Sequence, residues 1–331
     1  MTTTSEESPT LRSSVPPVRE WARTFAIGIC MGSADAVPGV SGGTIALIAG
    51  IYGRLIAMIT AITPERAFGL LIALTPLDGG FEPNRAIWIF DDIDGWFGLS
   101  LVTGVGIAVV LITRAVDILN EAAPTLLFGF FFGLIAASAI VLLRELSVES
   151  TFQLAAGAVG FLVAFLLAGP VEILEGGGLL VVFVSGAIAV SAMILPGISG
   201  SLLLVILGQY VRMSSALSDF LSQLAGLVTG GASGQVVQLG SVVVTFIAGG
   251  LVGLFTISRL VRAALDRNRL ATMTFLVALV VGALRAPVQE VNDEVGFTPE
   301  VLVAFAGAAL FGAVFLLVLD WYAVDLDLDT V

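Results

Sequence analysis

A 22-residue motif occurs twice in this chain and constrains its fold more than any other feature. Residues 33–54 read SADAVPGVSGGTIALIAGIYGR, and residues 191–212 read SAMILPGISGSLLLVILGQYVR. At an offset of 158, ten positions are identical: Ser33/Ser191, Ala34/Ala192, Pro38/Pro196, Gly39/Gly197, Ser41/Ser199, Gly42/Gly200, Ile48/Ile206, Gly50/Gly208, Tyr52/Tyr210 and Arg54/Arg212. Composition alone gives about two. Each copy sets a helix breaker inside an apolar stretch. Matched interruptions in two halves of a chain point to a transporter's substrate site near the bilayer midplane.

Composition places those breaks in a membrane. Apolar residues make up 57% of the chain and charged residues 12%, roughly half the charge of a soluble domain. The expected fold is an all-α polytopic membrane protein. There is no His and no Lys, and Cys30 is the only cysteine. Imidazole catalysis, His or Cys₄ metal sites, Schiff-base chemistry and an intrachain disulfide are thereby excluded. No metal and no cofactor is expected, and the chain does not read as an enzyme. The net charge of −12 argues against nucleic acid as a partner. An acidic surface without lysine suits a salt-rich, halophilic setting.

Residues 1–20 are polar and read as a disordered cytoplasmic tail, and residues 323–331 as an acidic tail. Apolar segments of spanning length fall near 96–113, 124–143, 152–169, 236–257, 270–286 and 299–320. The motif regions 22–62 and 178–212 read as helix, break, helix, a pattern that suits re-entrant hairpins. Segments 66–77 and 215–230 are apolar but short, and the sequence leaves open whether they enter the bilayer. A second match, Gly104 with Ile112-Thr113-Arg114 against Gly249 with Ile257-Ser258-Arg259, holds at offset 145. The chain therefore reads as two repeats, 21–170 and 171–322, each a hairpin followed by about three spans. An odd number of crossings inverts the second repeat. With the N-terminus cytoplasmic, eleven arginines fall inside and only Arg114, Arg212 and Arg285 outside, as the positive-inside rule requires.

The motif itself suggests an anion site. Pro38 ends one half-helix, the glycines permit close backbone approach, and an apolar helix is expected to run from Ile45 to Ile56. The free N–H groups and positive dipole end of that helix suit a phosphate or carboxylate. Pro38, Gly39, Ser41, Gly42, Gly43 and Thr44 form the first candidate tip, and Pro196, Gly197, Ser199, Gly200 and Ser201 the second. Arg54, Arg212 and Arg285 are further candidates, since guanidinium groups bind phosphate bidentately; each could instead mark a membrane interface. Asp35 has Met193 as its counterpart. It is the candidate for a coupling proton or for pairing with an arginine, or alternatively caps a helix or reaches interfacial water.

These residues resemble the DUF368 family of polytopic membrane proteins. The shared signature is GxxDxVPGVSGGTxAxxxGIYxRL near the N-terminus, LPGISGSxLLxxLGxY in the middle and GALRAP near the C-terminus, together covering about residues 22–320. The resemblance implies transport of a polyprenyl phosphate, an undecaprenyl or dolichyl type of lipid carrier, across the cytoplasmic membrane, with both PGxSG segments as the carried-over motif positions. It implies flippase-like transport with lipid and bilayer as partners, and a proton or sodium ion as the coupling candidate. The alternative is a small-anion transporter or channel, which needs an aqueous path and no lateral opening. An intramembrane lipid phosphatase is weaker still, because no acid cluster suits a metal.

Overall fold

The computed structural model describes residues 15–74, 83–144, 146–169, 178–192, 199–229 and 235–328. Every regular element among them is an α-helix. In chain order these are α1 (Val18–Ala36), α2 (Gly42–Ile48), α3 (Tyr52–Ala61), α4 (Pro64–Leu74), α5 (Pro83–Asp92), α6 (Gly95–Ala122) and α7 (Pro124–Arg144). Then follow α8 (Thr151–Leu167), α9 (Leu179–Ala192), α10 (Gly200–Ile206), α11 (Tyr210–Thr229), α12 (Val236–Ala283), α13 (Arg285–Glu294) and α14 (Pro299–Leu328). Four of the described helical runs are long and apolar enough to cross a bilayer, or six spans if each bent helix pair counts as one. The chain is a polytopic membrane protein.

The expected helix from Ile45 to Ile56 is not continuous. It stops at Ile48 and restarts at Tyr52, bent by 116°, and the second copy repeats the bend at 116° between α10 and α11. The cause lies in the shared Gly50 and Gly208, whose φ values are 69° and 63°. At the first bend Gly50 N–H donates to Leu47 O and Ile51 N–H to Ala46 O; at the second, Gly208 N–H donates to Val205 O and Gln209 N–H to Leu204 O. This doubled pattern is a Schellman ending, which needs a left-handed residue just past the helix. The first motif therefore turns twice, at Pro38 and at Gly50, around a helix of about two turns; in the second motif the described turn is the one at Gly208.

The segments 236–257 and 270–286 lie on one element. At 1.5 Å per residue, the 48 residues of α12 extend about 72 Å, over twice the ~30 Å hydrocarbon core. Asn268 divides it, with non-helical φ −156° and ψ 88°, and its Oδ1 accepts the Ala271 N–H at 3.0 Å as a cap on the second part. Arg259, Arg262, Arg267 and Arg269 surround the corner. The undecided segment 215–230 falls on α11; the described part of 66–77 falls on α4, whose 11 residues are too few to cross. The amphipathic α5 and α13 were not expected from the sequence. Helix α1 begins inside the stretch read as a polar tail, and α14 runs on to Leu328, into the acidic stretch.

Packing divides the chain into two units: residues up to Gly32 with Ile45–Ala108, and Ser33–Thr44 with residues from Val109 on. In the first, α1 lies close against α6: Gly28 meets Leu101 and Gly104, and Gly104 meets Phe25. In the second, α9 lies against α12 in the same way: Gly186 meets Phe246 and Gly250, and Gly249 meets Phe183. Such pairs exploit small residues to bring backbones together where lipid supplies no hydrophobic drive. The second unit has its own core, built around Phe131, Leu134, Ile135, Leu202 and Val280, each at most 2% exposed. Helix α8 starts in a capping box, with Ser150 Oγ accepting from Gln153 N–H and Gln153 Oε1 from Ser150 N–H.

Candidate functional site

The break between α1 and α2 is built around Asp35. Pro38 is fully buried, and Gly39, at φ 90°, sits where a Cβ would press on the Leu134 backbone at 3.2 Å. This turn brings the first residue of α2 back to the last turn of α1. Gly42 N–H donates to Asp35 Oδ1 at 2.7 Å. A Cβ on Gly42 would lie 2.6 Å from the carboxylate carbon, so a side chain there would have to displace the carboxylate. The chain's own carboxylate thus accepts from the Gly42 N–H, one of those expected to receive an anion. Ser41, Gly43 and Thr44 are half-buried around it, and Thr44 N–H donates to Ser41 O at 3.1 Å.

The second copy is arranged differently. Pro196 and Gly197 lie outside the described residues. Ser199 precedes α10 in an extended conformation, and its hydroxyl lies 2.6 Å from that of Ser201. Ser199, Gly200 and Ser201 are all buried. One hydrogen bond joins two hydroxyls, so one hydroxyl proton remains for another acceptor. Among the described residues no carboxylate bonds this helix start. After the second bend, Tyr210 donates its hydroxyl to Ala36 O at 2.6 Å and sets its ring edge-on to Phe131 at 5.3 Å.

These elements enclose a cavity of about 340 Å³ in the second unit. Its polar groups are Asp35, Ser201 and Tyr210, with Thr113 and Ser214. Its walls are otherwise hydrocarbon, including Val109, Val190, Leu217, Val243, Phe246 and Ile247. Ile247 is also 54% exposed on the outer surface of α12. A few convergent polar groups in an apolar pocket of this size are the usual form of a small-ligand site, here one suited to an amphiphile. Among the described residues no cluster of three or more acidic residues or cysteines could hold a metal.

The three candidate arginines have other partners. Arg54 grips Asp94 bidentately, with Nε to Oδ2 at 2.6 Å and Nη2 to Oδ1 at 2.9 Å, and reaches Glu20 Oε1 at 3.0 Å. It also lies over the Phe97 ring at 4.3 Å. Those contacts use the donors that were expected to meet phosphate. Arg212 donates to Gln209 Oε1 at 3.2 Å. Arg285 donates to Phe165 O at 2.8 Å and covers that ring at 4.5 Å, placing a cation at the carbonyl end of α8, where the helix dipole favours it.

A polar seam escaped the sequence analysis. Asp117 on α6 accepts from Ser215 at 2.7 Å and from Arg114 at 3.2 Å, and Arg114 also donates to Ser218 at 3.3 Å. Ser214 donates to Thr113 O at 3.3 Å, joining the seam to the cavity wall. The signal available in sequence is the spacing Tyr210, Ser214, Ser218, Ser222, one polar residue per turn along an otherwise apolar face.

A polytopic membrane protein with a mostly apolar, partly polar cavity beside a broken helix belongs to the class that handles amphiphiles. Residues 31–295 match the model of the VCA0040-like family, described as undecaprenyl phosphate translocase-like, and the chain belongs to that family. It is 33% identical over 264 residues to a polyprenyl-phosphate transporter of Vibrio cholerae, covering 79% of this chain and 75% of the relative. A polyprenyl-phosphate transporter of Staphylococcus aureus is 28% identical over 274 residues, covering 78% and 83% respectively. No solved structure matches the chain. Family and relatives are named for transport, not for an enzymatic reaction.

Proposed function

We propose that this chain carries a polyprenyl phosphate across the cytoplasmic membrane, with the phosphate at the Ser199–Ser201 end of the cavity and the isoprenoid against its hydrocarbon walls. The observation that carries the reading is the joining of a hydroxyl donor and apolar walls in one cavity, Ser201 with Val243 and Phe246. A phosphate stripped of water in hydrocarbon costs tens of kcal/mol by Born estimates, whereas the tail can stay in lipid. The names of the two relatives support the same substrate class. For a bare inorganic anion such walls supply only desolvation, which disfavours the small-anion reading.

Asp35 is the proposed coupling group. Its carboxylate lines the cavity that would receive the phosphate, and two anions there oppose each other. Binding is easiest with Asp35 neutral, which makes a proton the favoured coupling ion over sodium. The first motif, Pro38 to Thr44, shapes the turn that holds Asp35; the second, Pro196 to Ser201, provides donors. Arg54, Arg212 and Arg285 enter as positioning residues for their helices. The matched contacts Gly28–Leu101 and Gly186–Phe246, offset by 158 and 145, support a duplication. The arginine distribution supports its inversion and a cytoplasmic N-terminus.

The test is transport in liposomes reconstituted with the purified chain. Labelled polyprenyl phosphate should cross at a protein-dependent rate, and inorganic phosphate should not. Protein-dependent flux of inorganic phosphate without lipid movement would replace this reading with the anion channel.

A further inference from the structure

We propose that the cavity recognises only the phosphate and the one or two isoprene units next to it, so that transport is indifferent to chain length beyond that point. The inference rests on the lipid-phosphate reading above and adds which part of the lipid the protein touches.

Size sets the limit. At roughly 30 Å³ per non-hydrogen group, the share of one water in the liquid, 340 Å³ holds about a dozen groups. A phosphate takes five of these, which leaves about six or seven, enough for one five-carbon isoprene unit and the start of a second. Carrier lipids with many such units exceed the cavity several times over.

The lining shows how the head of the lipid would sit. Ser201 is 7% exposed and Ser199 2%, and one of their two hydroxyl protons is left for an acceptor such as a phosphate oxygen. Tyr210 fixes the wall beside them through Ala36 O. Away from these groups the walls are Leu217, Val242, Val243 and Phe246, which offer dispersion contacts and no hydrogen bonds to distinguish one isoprene from the next. Ile247 ends that wall and is 54% exposed, and Val244 and Leu251 beside it on α12 are 65% and 55% exposed. A chain leaving past Ile247 enters lipid, where further units gain nothing from the protein.

The experiment is competition in liposomes containing the whole chain and a labelled long-chain polyprenyl phosphate. The competitors are dimethylallyl, geranyl and farnesyl phosphate (one, two and three isoprene units), with geraniol and inorganic phosphate as controls, all compared at membrane-phase concentration. Geranyl and farnesyl phosphate should compete within about threefold of each other, dimethylallyl phosphate roughly tenfold more weakly, as the burial of the second unit's first carbons is lost, and geraniol not at all. Val243→Trp, which fills the wall, should weaken geranyl phosphate more than dimethylallyl phosphate. Steady tightening from geranyl through farnesyl to the long chain would overturn the inference. So would transport of the long chain with no competition by geranyl phosphate, an outcome that leaves the lipid-phosphate reading standing. Absence of any protein-dependent polyprenyl-phosphate movement would overturn both.

Discussion

Tyr210 reaches back 174 positions to donate its hydroxyl to Ala36 O at 2.6 Å, tying the second motif to the carbonyl end of α1 within the first. Tyr210 is 7% exposed, whereas its repeat partner Tyr52 is 41% exposed. Identical residues therefore carry unequal loads. Tyr210→Phe removes the donor, leaving a carbonyl in a buried setting at a cost of about 1–3 kcal/mol. Thermal unfolding in detergent should show the loss, and transport should fall with it. Tyr52→Phe should change stability by less than about 0.5 kcal/mol, as surface substitutions do.

The second prediction concerns Asp35 and Gly42. Asp35→Asn keeps an oxygen to accept the Gly42 N–H and removes the charge. Wild-type affinity for a prenyl phosphate should fall as pH rises through the titration of Asp35, because the ionised carboxylate opposes the phosphate. The Asn variant should bind at least as tightly and show no such fall. Asp35→Ala removes the cap as well, and should lose about 0.5–2 kcal/mol of stability. Equilibrium binding against pH decides it; an unchanged pH profile in Asp35→Asn would remove Asp35 from the coupling role.

Gly50 and Gly208 give a third prediction. Both are left-handed, and neither has an atom within 4 Å of a built Cβ, so substitution tests backbone strain alone. Gly50→Ala and Gly208→Ala should each cost about 1–2 kcal/mol. Gly50→Asn and Gly208→Asn should cost less, since Asn tolerates that region. Denaturation of the four variants in one detergent provides the comparison.

What the sequence revealed and what it hid follow from the range of the interactions. The span at 124–143 matches α7, Pro124–Arg144, almost residue for residue, because an apolar run bounded by Pro and Arg is a local signal. The break at Pro38 is equally local. The second break was visible as an identical glycine pair, yet Leu47 and Ile51 continue a helical apolar pattern across Gly50, and only the backbone hydrogen bonds reveal the turn. That Asp35 caps a helix was legible as one alternative for a lone carboxylate, but that the helix is α2 was not. The acceptor of Tyr210 and the serine partners of Asp117 lie about 100 or more positions away, where periodicity carries no information. Arg54 shows the same limit: its motif position suggested phosphate, while Asp94, in the turn before α6, and Glu20, on α1, claim its donors.

Topology provides the last prediction. The matched contacts argue for duplication but not for its sense, because glycine packing is the same whichever way a repeat points. Inversion rests on parity and on charge: a hairpin followed by three spans changes side, and Arg259, Arg262, Arg267 and Arg269 gather at the Asn268 corner of α12. Under that arrangement the corner shares a side with the N-terminal segment, and the loop before α9 faces the other. Single cysteines at residues 5, 175 and 265 in a Cys30→Ser background, probed with a membrane-impermeant thiol reagent in oriented vesicles, should label 5 and 265 together and 175 separately. Labelling of 175 and 265 from the same face would mean parallel repeats. The two motifs would then approach the bilayer from one side, and the second would no longer supply phosphate donors opposite the Asp35 turn.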